Sequence, residues 1–121
     1  DVCSSDLITG RSSPLTARRA RDLGIAHLQQ GREDKLVALR ELLETLNLTL
    51  EDTAYVGDDL PDLSAICHAG LGITVPNGHP LVLRHARWCT TKAGGDGAVR
   101  QVCDLILHAQ GLLESTYQRF L

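Results

Sequence analysis

The sequence lacks methionine altogether and is poor in aromatic residues, with one Trp, two Tyr and one Phe among 121 residues. It also lacks an apolar run as long as a membrane span, and no signal peptide is evident. A net charge of −3 gives no basic surface for nucleic acid or an anionic membrane. We therefore expect a single-domain cytoplasmic protein that binds neither nucleic acid nor membrane.

Paired cysteines and zinc-type spacings are missing as well. The four cysteines (Cys3, Cys67, Cys89 and Cys103) lie far apart without a CxxC pair, and the five histidines are scattered. This pattern indicates reduced, mostly buried thiols and argues against disulfides or a zinc site.

The most informative stretch is residues 53–62, Thr-Ala-Tyr-Val-Gly-Asp-Asp-Leu-Pro-Asp. A short apolar run that stops at Gly57 predicts a buried strand of a parallel sheet. Open α/β sheets bind ligands at the carboxyl ends of their strands, and Mg²⁺ prefers carboxylates there. The alternative is that Asp59 and Asp62 cap the following helix, which still leaves Asp58 for a metal.

Elsewhere, helical and strand-like segments alternate at short spacing, which predicts a Rossmann-like α/β fold with a parallel sheet covered by helices on both faces. The patterns predict helices over residues 14–23, 35–46, 60–68, 80–85 and 98–113, and strands over residues 25–29, 71–75 and 88–91. Residues 114–121 are expected to fray. The predicted buried stripes are Leu36, Leu39, Leu43 and Leu46 in the second helix, and Val99, Val102, Cys103, Ile106, Ala109 and Leu113 in the last.

Thr9, Lys35 and Asp58 each fall where a strand ends or a helix begins. A hydroxyl, an ammonium and a carboxylate together could bind a phosphoryl group and Mg²⁺. For Lys35 two interpretations stay open. The ammonium either faces an anion beside the helix N-terminus, or is solvated and compensated by Glu33 and Asp34.

The chain resembles the haloacid dehalogenase-like phosphatases over residues 8 to about 113. The resemblance depends on residues 8–11 (Ile-Thr-Gly-Arg), Lys35, residues 57–62 and residues 93–100 (Ala-Gly-Gly-Asp-Gly-Ala-Val-Arg), which occur in the family's order and spacing. With the turn at residues 77–80, the pattern is most similar to the 3-deoxy-D-manno-octulosonate 8-phosphate phosphatases of lipopolysaccharide biosynthesis. These proteins lack a large cap domain, are typically tetrameric, and hydrolyse a sugar-acid phosphate through an aspartyl-phosphate with Mg²⁺.

The resemblance implies a role for each matching residue. Thr9 would hydrogen-bond the phosphoryl group, Lys35 would neutralise its charge, and Asp58 would bind Mg²⁺ with Asp59 in support. The implied substrate contacts are Gly10, Arg11, Gly94, Gly95 and Arg100. Of these, Gly94, Gly95 and Arg100 would act across a subunit interface. Arg11 could equally be an exposed turn residue, and the glycine-rich loop a flexible lead-in to the last helix.

Two departures from the family pattern are expected to matter. The Asp-x-Asp-Gly element of the family's first strand, which supplies the nucleophile and the acid/base carboxylate, is absent from the sequence. Residues 1–7 resemble a translated sequencing adapter and are expected to be a non-native leader, so that residues 8–113 form the C-terminal portion of one domain and residues 114–121 a tail. In addition, Asp96 stands where a basic residue is common. We therefore expect the chain alone to be inactive.

Three other functions remain open. The chain could come from the phosphatase-like domain of an acylneuraminate cytidylyltransferase or from a nonulosonate 9-phosphate phosphatase. It could also be a non-catalytic oligomerisation scaffold. A receiver domain of two-component signalling is disfavoured, because its acid pair precedes its lysine and here Lys35 precedes Asp58.

Overall fold

In a computed structural model, the structure describes residues 5–111 and 113–120. Helices and short strands alternate along this part of the chain. The strands are β1 (Leu7–Ile8), β2 (Leu28–Gln29), β3 (Ala54–Val56), β4 (Leu71–Thr74) and β5 (Trp88–Cys89). The helices are α1 (Pro14–Asp22), α2 (Lys35–Leu46), α3 (Leu63–His68), α4 (Pro80–His85), α5 (Ala98–Ala109) and α6 (Leu113–Gln118), with 3-10 turns at Leu50–Asp52 and Leu60–Asp62.

The helices that begin at a recognisable cap start where the sequence predicts. The Ser13 hydroxyl accepts a hydrogen bond from the Leu15 N–H, and Pro14 takes the first helical position of α1. At the C-terminal end of α2, Asn47 adopts a left-handed conformation with φ of 56°. Such a residue closes the last helical turn and allows the chain to reverse towards β3.

Every described strand pair is parallel, which confirms the predicted α/β class. The strands form two sheets, β1–β2 and β3–β4–β5. Leu7 pairs with Leu28, so β1 begins one residue earlier than the boundary drawn after the leader. Residues 25–27, predicted as strand, lie outside the paired segment. Within the described residues β1 and β3 do not pair with each other, so each presents an open edge.

Helix α2 joins the two sheets through the core. It contacts both β1 and α3. The main cluster of buried residues draws on α2, β3, α3 and α4, and comprises Leu39, Leu43, Tyr55, Ala65, Ile66, Ala69 and Val82, with Ile8 of β1 packed against it. The buried side of α2 also contains Ala38 and Leu42, whereas Leu36 and Leu46 are half-buried. The leucine spacing alone therefore placed the buried stripe slightly off its true position.

The C-terminal region departs from the predictions in three ways. Helix α5 ends at Ala109, because Gly111 turns the chain with a left-handed φ of 73°. Residues 113–118, expected to fray or to extend α5, form the separate helix α6, which packs against α5. Val99, predicted to be buried, is 66% exposed, while Ala98 and Val102 face the core. Ala109 is exposed as well.

The expected burial of the thiols is wrong for the described cysteines. Cys67 is exposed, and Cys89 and Cys103 are half-buried. The prediction for Cys3 lies outside the described residues, as do the other predictions for residues 1–4, Leu112 and Leu121.

None of the helices in the described part of the chain combines the length and the apolar character needed to cross a membrane.

Candidate active site

A cleft of about 260 Å³ opens where β3 ends, beside the first turn of α2 and the glycine-rich loop before α5. Four residues predicted to form the site line this cleft: Lys35, Asp58, Gly94 and Gly95. They come from three segments that are far apart in sequence. The fold thus brings a cation, a carboxylate and two backbone-exposing glycines to one place, at the carboxyl end of a parallel strand.

The carboxylate of Asp62 holds this site together. Only 5% of Asp62 is exposed. Its Oδ1 accepts hydrogen bonds from the Lys35 ammonium at 2.9 Å and from the Tyr55 hydroxyl at 2.7 Å. Its Oδ2 accepts from the backbone N–H groups of Asp58 at 3.1 Å and Asp59 at 3.2 Å. One buried carboxylate therefore fixes both the cation of the cleft and the loop that carries the acid pair.

Gly57 is needed for this arrangement because Asp62 folds back onto it. A Cβ atom built at Gly57 would overlap Cβ and Cγ of Asp62. No real side chain tolerates that overlap, so a glycine here permits the close approach of the carboxylate. The Gly-Asp-Asp-x-x-Asp spacing is thus explained by packing as well as by chemistry.

The hydrogen bonds also set the protonation states of the network. Burial alone would raise the pKa of Asp62, but the Tyr55 hydroxyl, the Lys35 ammonium and the Asp59 N–H together lower that pKa below its ordinary value. Burial, followed by the hydrogen bond to Asp62, raises the pKa of Tyr55 well above its ordinary value. Asp62 is therefore a charged acceptor at neutral pH, and Tyr55 is a neutral donor.

The acid pair divides its tasks between capping and the cleft. Asp59 is the N-cap of the turn Leu60–Asp62, and its Oδ1 accepts from the Leu60 N–H at 2.8 Å. Asp59 and Asp62 also form a capping box, so the capping interpretation holds for both residues. Asp58 is exposed. Its backbone position is fixed by a hydrogen bond, in which the Asp58 C=O accepts from the His79 N–H at 2.8 Å. The Asp58 carboxylate is the acid that remains for a ligand.

Asp58 and Asp59 are compatible with a magnesium ion that takes most of its ligands from water and substrate rather than from protein side chains. Among the described residues, no three His, Cys, Asp or Glu side chains are grouped as a complete metal site. Magnesium commonly binds one or two carboxylates and completes its shell with water and substrate phosphate oxygens. Asp58 at the cleft, with Asp59 next to it, meets that modest requirement.

Lys35 is not a solvated lysine compensated by Glu33 and Asp34, as one interpretation had it. Asp34 pairs with Arg32 at 2.9 Å, and Lys35 instead reaches across to Asp62. Its side chain is 16% exposed. The ammonium is therefore a half-buried cation in the wall of the cleft, next to the positive end of α2.

Thr9, Gly10 and Arg11 follow β1 and are outside the residues that line the cleft. The Thr9 hydroxyl accepts from the Arg11 N–H at 3.2 Å, and the Thr9 C=O accepts from the Arg32 N–H at 3.0 Å. The loop is thereby tied to the turn that leads into α2, and Arg11 is exposed. The substrate roles of these three residues stay predictions.

Hydrogen bonds hold the glycine-rich loop before α5 in place, so it is more than a flexible connection to that helix. The Gly94 N–H donates to the Asn77 side-chain oxygen at 2.8 Å. Gln101 Oε1 accepts from the N–H groups of Thr91 and Lys92, each at 3.1 Å. Arg100 is outside the residues that line the cleft. Its side chain is 76% exposed and lies 3.5 Å from Asp104, and its role also stays a prediction.

Sequence reasoning underrated Asp62 and overlooked Tyr55. The sequence favours a capping role for Asp62 over a metal role, although Asp62 follows Asp58 by about one helical turn. Tyr55 is the single polar-tipped residue of an otherwise apolar strand, a pattern that often marks a buried hydroxyl with a partner. Those two signals were present in the sequence.

The fold and the cleft define a parallel α/β protein with a cleft at the end of a strand, lined by a lysine and two carboxylates. Residues 23–102 match the haloacid dehalogenase-like hydrolase family. The chain belongs to the haloacid dehalogenase-like hydrolases.

Several characterised proteins are similar to this chain. The 3-deoxy-D-manno-octulosonate 8-phosphate phosphatase of Yersinia pestis is 53% identical over 108 residues, which are 89% of this chain and 58% of that protein. The Escherichia coli K12 protein of the same name is 49% identical over 108 residues, 89% of this chain and 57% of that protein. The chain therefore spans a little over half the length of these relatives.

Solved structures give the same result for the fold. The Moraxella catarrhalis 3-deoxy-D-manno-octulosonate 8-phosphate phosphatase, crystallised with magnesium ion, phosphate ion and KDO, superposes with a TM-score of 0.92 and 51% identity. That match covers 94% of this chain and 66% of the other. The cobalt-bound phosphatase of Haemophilus influenzae gives a TM-score of 0.88 at 35% identity, covering 91% and 64% of the two chains.

Proposed function

We propose that the parent protein of this chain is a Mg²⁺-dependent phosphomonoesterase that hydrolyses 3-deoxy-D-manno-octulosonate 8-phosphate to the free sugar acid and phosphate. The observation that carries the proposal is that Lys35 and Asp58 line one cleft and are held there by the same buried carboxylate. The relatives named for this reaction support the choice of substrate.

Each side chain has a proposed task. Asp58, with Asp59 in support, would hold Mg²⁺, which contributes positive charge next to the phosphoryl oxygens. Lys35 neutralises charge on the transferring phosphoryl group, and Thr9 donates a hydrogen bond to it. Gly94 and Gly95 expose backbone at the rim, where the sugar acid would lie. Gly10, Arg11 and Arg100 are proposed as further substrate contacts.

The nucleophile is proposed to come from the family's first motif, which this sequence does not contain. Of the two carboxylates in the cleft lining, Asp62 is engaged in four hydrogen bonds and is almost fully buried. Asp58 is assigned to the metal. Neither is free to attack phosphorus and form an aspartyl-phosphate. We therefore propose that this chain binds magnesium and phosphate but does not turn over the ester.

The test is phosphate release from the sugar phosphate by two proteins, the chain as given and the same chain extended by the segment encoded upstream of Ile8. We expect background release from the first and Mg²⁺-dependent release from the second, with Asp58→Asn abolishing it. Full turnover by the chain as given would contradict the proposal, and so would an extended protein that stays inactive.

A substrate panel separates this proposal from its rivals. An extended protein that prefers an acylneuraminate 9-phosphate or another nonulosonate 9-phosphate would belong with the alternative phosphatases. If the upstream segment lacks an Asp-x-Asp element, the scaffold alternative is correct. Tetrameric assembly and a cytoplasmic location stay predictions; the former is checked by light scattering on the extended protein.

A further inference from the structure

Tyr55 joins the hydrophobic core to the cleft. It is the middle residue of β3, and its ring lies in the main core cluster with Leu39 and Leu43 of α2. Its neighbours in the strand, Ala54 and Val56, are exposed. The ring therefore enters the core, while the hydroxyl at its far end emerges at Asp62, 2.7 Å from Oδ1.

The hydroxyl and the Lys35 ammonium share one acceptor atom. Asp62 Oδ1 receives both donors, at 2.7 Å from Tyr55 and 2.9 Å from Lys35. Two donors on one oxygen divide its negative charge, so neither bond is as strong as it would be alone. An ammonium has three N–H donors, and one of those of Lys35 goes to Asp62. A weaker hold on that one donor leaves the cation more available to an anion in the cleft.

The other oxygen of Asp62 is occupied separately. Oδ2 receives the N–H groups of Asp58 and Asp59, so the acid loop is held through an atom that Tyr55 does not touch. Removing the Tyr55 hydroxyl should therefore alter the lysine side of the network and leave the acid side in place. This separation allows a positioning role to be distinguished from a general loss of structure.

Building on the proposed phosphatase function, we propose that Tyr55 is a positioning residue of the site, whose hydroxyl competes with Lys35 for Asp62 Oδ1 and so keeps the ammonium available to the phosphoryl group. In Tyr55→Phe, Asp62 Oδ1 is left to Lys35 alone. The ion pair tightens, and the cleft loses affinity for an anion. The chain's other tyrosine, Tyr117, is 41% exposed on α6, so Tyr117→Phe is the matched control.

The first measurement needs no ligand. Lys35 and Lys92 are the two lysines of the sequence, so reductive methylation with ¹³C-formaldehyde gives two assignable dimethyl-lysine signals. We expect methylation of Lys35, relative to exposed Lys92, to slow by about threefold or more in Tyr55→Phe. No such change is expected in Tyr117→Phe. Unchanged or faster methylation of Lys35 in folded Tyr55→Phe would overturn the inference.

The second measurement uses inorganic phosphate and MgCl₂ as probes in calorimetry of the full chain. We expect the phosphate Kd to rise by roughly threefold to tenfold in Tyr55→Phe, with the Mg²⁺ Kd unchanged. In a Lys35→Gln background the tyrosine change should have no further effect on phosphate. A merely structural role predicts a lower Tm with no selective effect on phosphate, and that result would also overturn the inference.

The two proposals fail in different ways. Absence of phosphate binding by the unaltered chain would count against the phosphatase function, whereas the methylation ratio would still decide the role of Tyr55. A normal phosphate Kd in Tyr55→Phe would count against the role of Tyr55 alone.

Discussion

Replacing Asp62 by Asn tests whether one buried carboxylate organises the site. Each Asp62 oxygen accepts two donors, Lys35 and Tyr55 on one side and two backbone N–H groups on the other. An amide has one acceptor oxygen and one NH₂ group, which can only donate. Whichever way the amide turns, its NH₂ meets two donors and leaves them without an acceptor.

The expected cost follows from burial and geometry. Removing one partner of a buried charged pair costs about 3–5 kcal/mol of unfolding free energy, because the other partner stays uncompensated. The two backbone bonds, at 3.1 and 3.2 Å, are at the long end of the normal range and contribute least. Lys35 is partly exposed and can turn towards solvent, which limits the loss. We therefore expect about 3 kcal/mol, at the lower end of that range.

Asp59→Asn is the matched control, because it removes the same charge three residues away. Asp59 is exposed, and its capping bond can be made equally well by an asparagine. We expect a change within about 0.5 kcal/mol. Urea unfolding followed by the fluorescence of Trp88, the single tryptophan, and by circular dichroism gives both values. Loss of less than about 1 kcal/mol in Asp62→Asn, or equal losses in the two variants, would refute the reasoning.

Three further predictions follow from the same contacts. Because the pKa of Asp62 in the folded chain lies below the ordinary 3.8, the charged carboxylate stabilises the fold fully at neutral pH, and this stabilisation is lost as the pH falls below about 4. The unfolding free energy of the unaltered chain should therefore fall more steeply with acid than that of Asp62→Asn. Parallel curves for the two proteins would contradict this. Gly57→Ala should destabilise the chain by about 1–3 kcal/mol in urea unfolding, because the new Cβ would displace Asp62. The control Gly94→Ala should be nearly neutral, because its Cβ would meet its nearest neighbours at an ordinary 3.5 Å. Equal effects of the two substitutions would disprove the argument. In β3, the Thr53 C=O accepts from the Leu71 N–H and the Gly57 N–H donates to the Ile73 C=O, so the N–H groups of Ala54 and Val56 face the open edge of the strand. These two amides should exchange with deuterium at least about tenfold faster than the Ile73 amide. Equal protection would show that the edge is covered.

The parts of the fold that the sequence predicted well are those with local signals. The Ser13-Pro14 start of α1 and a strand that ends just before Gly57 each depend on neighbours in the chain, and both are present. The burial expected for that strand is wrong for two of its three residues, because only Tyr55 is buried while Ala54 and Val56 are exposed. The start and end of α2 agree as well. The predicted range of strand β2 is too long, because the length of a strand is decided by the strand that it pairs with. Only Leu28 and Gln29 have a pairing partner in β1.

Four of the predicted site residues, Lys35, Asp58, Gly94 and Gly95, line the cleft, but the sequence did not indicate how they are held there. Lys35 and Asp62 lie 27 residues apart, so nothing local reveals that they pair. Residue spacing placed Lys35 and Asp58 near a common edge but could not show that a third residue fixes both. Val99 was misjudged for a related reason. It continues an apolar helical pattern, yet it faces the cleft, where exposure is compatible with binding.

The most direct test of the central claim, that Asp58 and Lys35 serve one metal-and-phosphate cleft, is paramagnetic relaxation by Mn²⁺ in place of Mg²⁺. We predict that small additions of Mn²⁺ broaden the amide NMR signals of Gly57, Asp58 and Gly94 first, that Asp58→Asn removes the effect, and that inorganic phosphate then shifts the Lys35 signals. Broadening centred elsewhere, for example around Glu33 and Asp34, with Asp58→Asn behaving like the unaltered chain, would contradict the account.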